Sequence, residues 1–136
     1  MDTPLLVEAS QMEDARKLCR LMLDQGVKVR AMFWEFDTDR ARYYLCVAAD
    51  IFEEDPTKLE SYAKLNSFIK NSGVTIRLED TRVLSGKMDS YTNNLIWAWL
   101  GFGKSVHIRD TYYDSHYVAS AYLVYANAEW FGEKWG

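Results

Sequence analysis

The chain opens with apolar residues at helical spacing. They recur through residues 11–25, and Gly26 follows where a left-handed residue commonly ends a helix. Ser10 and Glu13 have the spacing of a capping box, in which each side chain accepts a hydrogen bond from the other residue's backbone N–H. The pattern therefore predicts an amphipathic helix over residues 11–25.

Strict alternation of apolar and polar positions replaces the helical pattern after Gly26. Residues 27–36 and 41–49 alternate with a period of two, and polar residues 37–40 separate them. This arrangement is typical of a β-hairpin, so we predict two antiparallel neighbours. On the first strand, one predicted face carries Val27, Val29, Ala31 and Phe33, and the other carries Lys28, Arg30, Met32, Trp34 and Phe36. On the second strand, one predicted face carries Tyr43, Leu45 and Val47, and the other carries Arg42, Tyr44 and Cys46.

A second helix and a third strand are predicted next. Asp55 followed by Pro56 is a good helix start, and Gly73 provides the end of a helix over residues 57–71. Alternation from Val74 to Leu78 then predicts a strand that extends toward Leu84. The predicted buried side of the helix comprises Leu59, Tyr62, Ala63, Leu65, Phe68 and Ile69.

The last third of the chain predicts a second hairpin. Residues 106–109 and 117–125 alternate, and Asp114 and Ser115 between them are turn formers. The preceding residues 87–100 fit either a short helix or a buried strand, and we favour the helix. Together these elements predict one α+β domain over residues 1–136, with a mainly antiparallel sheet of about five strands and two to three helices.

Charge and cysteine content narrow the functional classes. The 136 residues carry a formal net charge of −4, which argues against a protein whose whole surface binds nucleic acid. Cys19 and Cys46 lie in apolar patterns without metal-ligand spacing. We therefore expect two free, buried thiols in a reducing cytosol, and no metal or cofactor.

The chain shows no targeting or membrane pattern. Its first ten residues lack the basic and apolar regions of a signal peptide. The longest apolar run, residues 95–102, is far shorter than the roughly 20 residues that span a bilayer. We expect a cytoplasmic protein with no membrane partner.

Both histidines fall within the ten residues HIRDTYYDSH. A metal or general-base site would require His107, Asp110, Asp114 and His116 to converge. Alternation instead places His107 and Asp110 on opposite faces of a strand, so we interpret the stretch as a hairpin connection and keep an enzyme site here as an alternative. No hydrolase, phosphate-loop, zinc-protease or dinucleotide motif occurs, and we predict no catalytic residue.

Basic residues alternate with core positions in several predicted strands. With interleaved aromatic rings, such a sheet face could bind single-stranded nucleic acid or another polyanion. The same face could instead contact a protein partner or a second copy of the chain. The candidate residues of this predicted basic face are Lys28, Arg30, Trp34, Arg42, Tyr44, Arg77, His107 and Arg109.

The C-terminal tail, from about residue 127, is rich in aromatic residues. Trp130 and Trp135 are large apolar side chains of the kind enriched at interface hot spots. They either bind a partner or fold back onto the domain. The tail therefore joins the basic face as a candidate binding surface.

Residues 29–47, VRAMFWEFDTDRARYYLCV, with SAYLVY at residues 120–125, resemble a group of short uncharacterised bacterial proteins. The resemblance implies a bacterial, cytosolic origin and transfers no activity. From the sequence we expect a non-enzymatic interaction protein that binds a protein partner or forms a homodimer.

Overall fold

A computed structural model describes residues 6–52, 59–84, 107–113 and 116–127 of the chain. The predicted helix over 87–100, the Asp55–Pro56 start, Asp114 and the tail with Trp130 and Trp135 lie outside the described residues. The helices are α1 (Ala9–Asp24) and α2 (Leu59–Ser72), and the strands are β1 (Val29–Asp37), β2 (Arg42–Ala49), β3 (Thr81–Leu84), β4 (His107–Tyr113) and β5 (His116–Ala126).

The five strands form one sheet in the order β3-β2-β1-β5-β4. Three of its strand pairs are antiparallel, β1 with β2, β1 with β5 and β4 with β5, whereas β2 and β3 are parallel. Both predicted hairpins are confirmed. The fold is α+β with a mainly antiparallel sheet, as the sequence predicts, although the one parallel pair was not foreseen.

Helix α1 begins earlier than predicted. Its cap is Glu8, whose N–H donates a 2.9 Å hydrogen bond to Gln11 Oε1 while its own side chain accepts from the Gln11 backbone. The reciprocal geometry of a capping box is therefore present, but the predicted pair Ser10 and Glu13 is wrong. The predicted end is confirmed, because Gly26 has φ of 84°.

A β-bulge in β1 changes the predicted faces of the first strand. Val29 pairs with Ala49 but Ala31 pairs with Ala48, so Arg30 is the extra residue of the bulge. Because an extra residue shifts the alternation by one, Val29 lies on the same face as Trp34. The prediction that Val29 shares a face with Ala31 is wrong.

Two apolar clusters lie on opposite sides of the sheet. We call the side contacted by α1 and α2 the helix face, and the other side the far face. The helix-face cluster includes Leu18, Met22, Val29, Met32, Trp34, Leu45, Val47 and Leu65, and the far-face cluster consists of Ala31, Phe33, Cys46, Ala48, Val118 and Ala121.

The second helix and the third strand differ from their predicted form. Leu65 and Ile69 are buried as expected, but Leu59 is 75% exposed and Ala63 is exposed. Residues 74–77 are irregular, and only Thr81–Leu84 form a strand. The carboxylate of Asp14 in α1 accepts hydrogen bonds from both the backbone N–H and the hydroxyl of Thr75, so this segment is tied to helix α1.

Both cysteines are free and buried, as predicted. Burial raises the pKa of Cys19 to about 11, although the charge of Arg20 opposes the shift. Burial also raises the pKa of Cys46, and Glu35 adds to the increase. Because the thiolate is the reactive form, neither residue is set up as a nucleophile.

Candidate functional site

A cleft of about 570 Å³ opens on the helix face. It lies between the first turns of α1, the end of the β1–β2 hairpin and the segment 75–80, which leads to β3 through an irregular stretch and the short 3-10 helix Leu78–Asp80. Its volume is in the range of small-molecule binding sites. Its apolar lining consists of Leu6, Trp34, Phe36, Ala41, Tyr43 and Ile76.

The hairpin supplies the aromatic wall of this cleft. Phe36 and Tyr43 are directly paired across β1 and β2, and their rings meet edge to face with centroids 5.2 Å apart. Trp34 lies two positions along the same strand, and so on the same side of the sheet. Leu6 at the mouth is 68% exposed, which leaves apolar surface available to a bound group.

The charged residues around the cleft are held in pairs. Asp80 contacts two guanidinium groups, with its Oδ1 3.3 Å from Arg42 Nη1 and its Oδ2 3.1 Å from Arg77 Nε. Arg77 also contacts Glu79, at 2.8 Å. The Nε and Nη2 atoms of Arg42 both donate to the hydroxyl of Tyr44, at 2.9 and 2.8 Å. The two arginines of the rim are therefore paired with carboxylates, whereas the lining carboxylates Glu8 and Asp14 accept hydrogen bonds from neutral groups, the Gln11 backbone and Thr75.

The indole N–H of Trp34 is the exception to this pairing. Trp34 lines the cleft and is 3% exposed, and its buried Nε1 has no hydrogen-bond partner among the described residues. An unsatisfied buried donor costs about 1–3 kcal/mol, and most buried donors in native proteins have a hydrogen-bond partner.

A partly buried polar network adjoins the cleft at Tyr43. The Tyr43 hydroxyl donates to Ser120 Oγ at 2.8 Å, and the same Oγ is 2.8 Å from His107 Nε2. The ring of His107 stacks on Tyr122 with centroids 3.8 Å apart. Ser120 is only 2% exposed, so this network positions the wall of the cleft rather than presenting a nucleophile.

Burial sets the ionisation of this network. It raises the pKa of Tyr43, and the hydrogen bond to Ser120 only partly opposes the shift. Burial also lowers the pKa of His107, and the charge of Arg109 lowers it further. Both groups are therefore neutral near pH 7.

The structure does not bring the residues of the predicted basic face together. Trp34 lies on the helix face and is buried in the core. Tyr44 pairs with Glu35, the residue after Trp34 on β1. Because successive residues of a strand point to opposite faces, Glu35 and Tyr44 point to the far face. The prediction that Trp34 and Tyr44 share one face is wrong. Trp34 pairs with Leu45 and so shares its face, and Tyr44, the neighbour of Leu45 on β2, points to the opposite face. Trp34 cannot act as a surface stacking platform.

The cations predicted for that face are dispersed. Lys28 is exposed before β1, Arg30 is the bulge residue, and Arg109 is exposed on β4. Arg77 lies in the irregular segment and not in a strand, and it faces the cleft. His107 stacks on Tyr122, which packs against the helix-face cluster.

Arg42 and Tyr44 belong to a separate group at the end of the hairpin. The guanidinium carbons of Arg42 and Arg82 lie 4.8 and 4.2 Å from the centre of the Tyr44 ring, and Arg82 also forms an ion pair with Asp37. Cation–π contacts of this kind fix the arginines in place. Arg82 was not anticipated from the sequence, because its position next to Tyr44 depends on the parallel pairing of β3 with β2.

His107 and Asp110 do not converge into the alternative enzyme site. His107 contacts Ser120 and Tyr122, whereas the Asp110 carboxylate accepts a hydrogen bond from the hydroxyl of Tyr117. Asp110 has φ of 48°, an unusual backbone conformation within a strand. Within the described ranges, no group of three or more His, Cys, Asp and Glu side chains is arranged to hold a metal ion.

The cleft itself was missed by the sequence reasoning. Its residues come from three separate stretches, and Phe36 and Tyr43, which are paired in the structure, were predicted on opposite faces of the sheet. Of the helices that the structure describes, none is long and apolar enough to cross a membrane. Comparison with protein-family models, curated proteins and solved structures finds no match to the chain.

Proposed function

We propose that this protein is a non-enzymatic binding protein and that the cleft on the helix face is its binding site. The observation that carries the proposal is a cleft of about 570 Å³ in which an aromatic wall, formed by Phe36 and Tyr43, meets a rim of polar and charged side chains that includes Arg42, Arg77 and Asp80. Binding sites characteristically join an apolar surface to a few such polar groups.

The side chains of the lining support binding rather than catalysis. Neither histidine nor cysteine lines the cleft among the described residues, Asp80 is ion-paired with Arg42 and Arg77, and the Asp14 carboxylate accepts hydrogen bonds from Thr75. Tyr43 also lines the cleft, and because burial raises its pKa, less of the phenolate that would act as a base or nucleophile is present near pH 7.

The proposal is tested with a neutral fluorescent probe, N-phenyl-1-naphthylamine, which gains fluorescence in apolar sites. Leu6→Asp places a charge at the mouth of the cleft, and we expect it to weaken probe binding about tenfold. Leu59→Asp is the matched control, because Leu59 is similarly exposed, at 75%, but lies outside the cleft lining. No probe binding to the wild-type protein, or equal loss in both variants, would overturn the proposal.

A second candidate is self-association through β4. This strand is the outermost of the sheet as described, and it carries the exposed Tyr112, whose ring centroid is 5.1 Å from that of Tyr117. An edge strand that carries an exposed aromatic side chain can pair with the edge strand of a second copy of the chain.

Light scattering after size-exclusion chromatography tests this second candidate. The wild-type protein is expected to be dimeric, and Tyr112→Glu to be monomeric because it introduces repulsion at the edge. A monomeric wild-type protein would remove self-association and leave the cleft proposal untouched.

A further inference from the structure

The charges that line the cleft do not balance among the described residues. Three carboxylates line it, on Glu8, Asp14 and Asp80, against two guanidinium groups, on Arg42 and Arg77. Both guanidinium groups are paired with the Asp80 carboxylate. Glu8 and Asp14 accept hydrogen bonds from neutral groups and have no cationic partner in the part of the chain that the structure describes. The lining therefore has an excess of negative charge, which favours a cationic ligand.

The Asp14 carboxylate is held in place through one of its two oxygens. The backbone N–H and the hydroxyl of Thr75 both donate to Oδ2, at 3.3 and 2.7 Å. Thr75 also lines the cleft, so these bonds fix the carboxylate at its wall. Oδ1 accepts no hydrogen bond from the described residues. Asp14 can therefore accept a further hydrogen bond from a charged donor, and such charge-assisted bonds are stronger than neutral ones.

The aromatic wall supplies the apolar half of the site. Phe36 and Tyr43 line the cleft, and their rings meet at an interplanar angle of 71°. Aromatic rings pack against the hydrocarbon part of a ligand, and their faces attract an organic cation. An inorganic ion would leave this apolar surface unused. The combination of wall and carboxylates therefore fits an organic cation better than a metal ion.

We propose that the ligand is a small organic cation, whose ammonium group donates a hydrogen bond to Asp14 Oδ1 and whose apolar group packs against Phe36 and Tyr43. The inference rests on the proposed function, since it names the ligand class of the same cleft. Glu8 adds to the attraction through its charge. An anionic ligand of the same shape is repelled by both carboxylates.

The test compares three compounds that share a phenylethyl frame and differ in charge. They are phenethylamine, which is a cation near pH 7, phenethyl alcohol, which is neutral, and hydrocinnamate, which is an anion. Each compound is titrated against bound N-phenyl-1-naphthylamine. We expect the amine to displace the probe at roughly 3- to 10-fold lower concentration than the alcohol, as one partly exposed charged hydrogen bond implies. The anion should require the highest concentration.

Asp14→Asn removes the proposed counter-charge and retains an oxygen that can accept from Thr75. We expect this variant to lose the preference for the amine over the alcohol. Glu13→Gln is the matched control, because Glu13 is the neighbouring carboxylate on α1 but lies outside the cleft lining, and it should keep the preference. The amide resonance of Thr75, whose N–H donates to Asp14, should move more with the amine than with the alcohol in the ¹⁵N-labelled wild-type protein. This readout does not depend on the folding of a variant.

The outcomes distinguish this inference from the proposed function. If the three compounds displace the probe equally, or if the anion is preferred, the cleft binds ligands but the inference of a cation is wrong. If the preference for the amine survives in Asp14→Asn, or is lost equally in Glu13→Gln, the assignment of Asp14 is wrong. If neither the probe nor any of the compounds binds, the proposed function itself fails.

Discussion

The hydroxyl of Tyr43 donates a 2.8 Å hydrogen bond to Ser120 Oγ, which ties β2 to β5 across the intervening strand β1. The two residues are 77 positions apart in the sequence. The same tyrosine ring forms part of the cleft wall, so this bond fixes the orientation of a side chain that a ligand would touch.

Tyr43→Phe is expected to separate these two roles of the tyrosine. Loss of the hydroxyl removes one partly buried hydrogen bond and should lower the free energy of unfolding by about 1 kcal/mol, measured by urea denaturation. The ring remains, so probe binding in the cleft should persist. Tyr43→Ala is the comparison, and it should lose binding as well as stability. Equal binding by the alanine variant would show that the ring is not part of the site.

The stability of the protein should depend on the ionisation of His107. Burial and the charge of Arg109 lower the pKa of His107 in the folded state below its ordinary value of 6.5. The unfolded chain therefore takes up a proton at higher pH than the folded protein does. The free energy of unfolding should fall as the pH drops through about 6.5, and this contribution should level off below the folded-state pKa.

Urea denaturation between about pH 8 and about pH 5.5 measures this dependence. His107→Gln removes the titrating group and retains a polar side chain that can bond to Ser120, so its stability should vary less across that range. If the free energy of unfolding of His107→Gln changed with pH as steeply as that of the wild-type protein, His107 would not be the source of the pH dependence.

Among the side chains of the β1–β2 turn, Asp37 should contribute most to the stability of the protein. Its carboxylate accepts from the backbone N–H groups of Asp39 and Arg40, at 2.9 and 3.0 Å, and pairs with the side chains of Arg40 and Arg82. Asp37→Ala should lower the free energy of unfolding by about 1–3 kcal/mol, because these donors lose their acceptor. Asp39→Ala, an exposed position in the same turn, should change it by less than about 0.5 kcal/mol. Equal effects of the two substitutions would contradict this interpretation.

The pKa of Asp37 gives the pH dependence of the same turn. Burial alone would raise this pKa, but the hydrogen bonds from Arg40 and Arg82 lower it below the ordinary value of 3.8. The contribution of Asp37 to stability is therefore complete above that ordinary value and is lost as the pH falls through the folded-state pKa.

Gly26 should be required for its backbone conformation and not for space. Its φ is 84°, and a Cβ atom added there would meet no atom within 4 Å. Gly26→Ala should therefore cost about 1 kcal/mol through left-handed strain alone. Gly26→Asn should cost less, because asparagine tolerates this region better. An alanine variant as stable as the wild-type protein, measured by urea denaturation, would argue against the helix end seen here.

Local signals explain the parts of the fold that could be predicted from the sequence. The hairpin of β1 and β2 follows from two alternating segments and a polar turn, and the end of α1 follows from Gly26. The face of Val29 could not be predicted, since nothing in the local pattern marks Arg30 as a bulge. The bulge is a property of the pairing between two strands and of the packing beneath them.

The candidate site depended on contacts that are distant in the sequence. Residues 74–78 alternate like a strand because Val74, Ile76 and Leu78 are partly buried against the helix-face cluster, but the segment is bound at Thr75 by Asp14 of α1 and is not paired in the sheet. Sequence periodicity reports burial on one side and does not identify the neighbour. The cleft forms where this segment, α1 and the hairpin meet, so it appears only once the elements are assembled.

Mapping of the bound probe by NMR tests the central claim most directly. The amide resonances of the ¹⁵N-labelled protein are recorded with and without N-phenyl-1-naphthylamine. We expect the largest changes at Tyr43, Ile76 and Arg77, which line the cleft, and none at Leu59 or Lys64, which are exposed on α2 and absent from the cleft lining. Changes confined to β4 or to the outer surface of α2 would contradict the assignment of the cleft as the binding site.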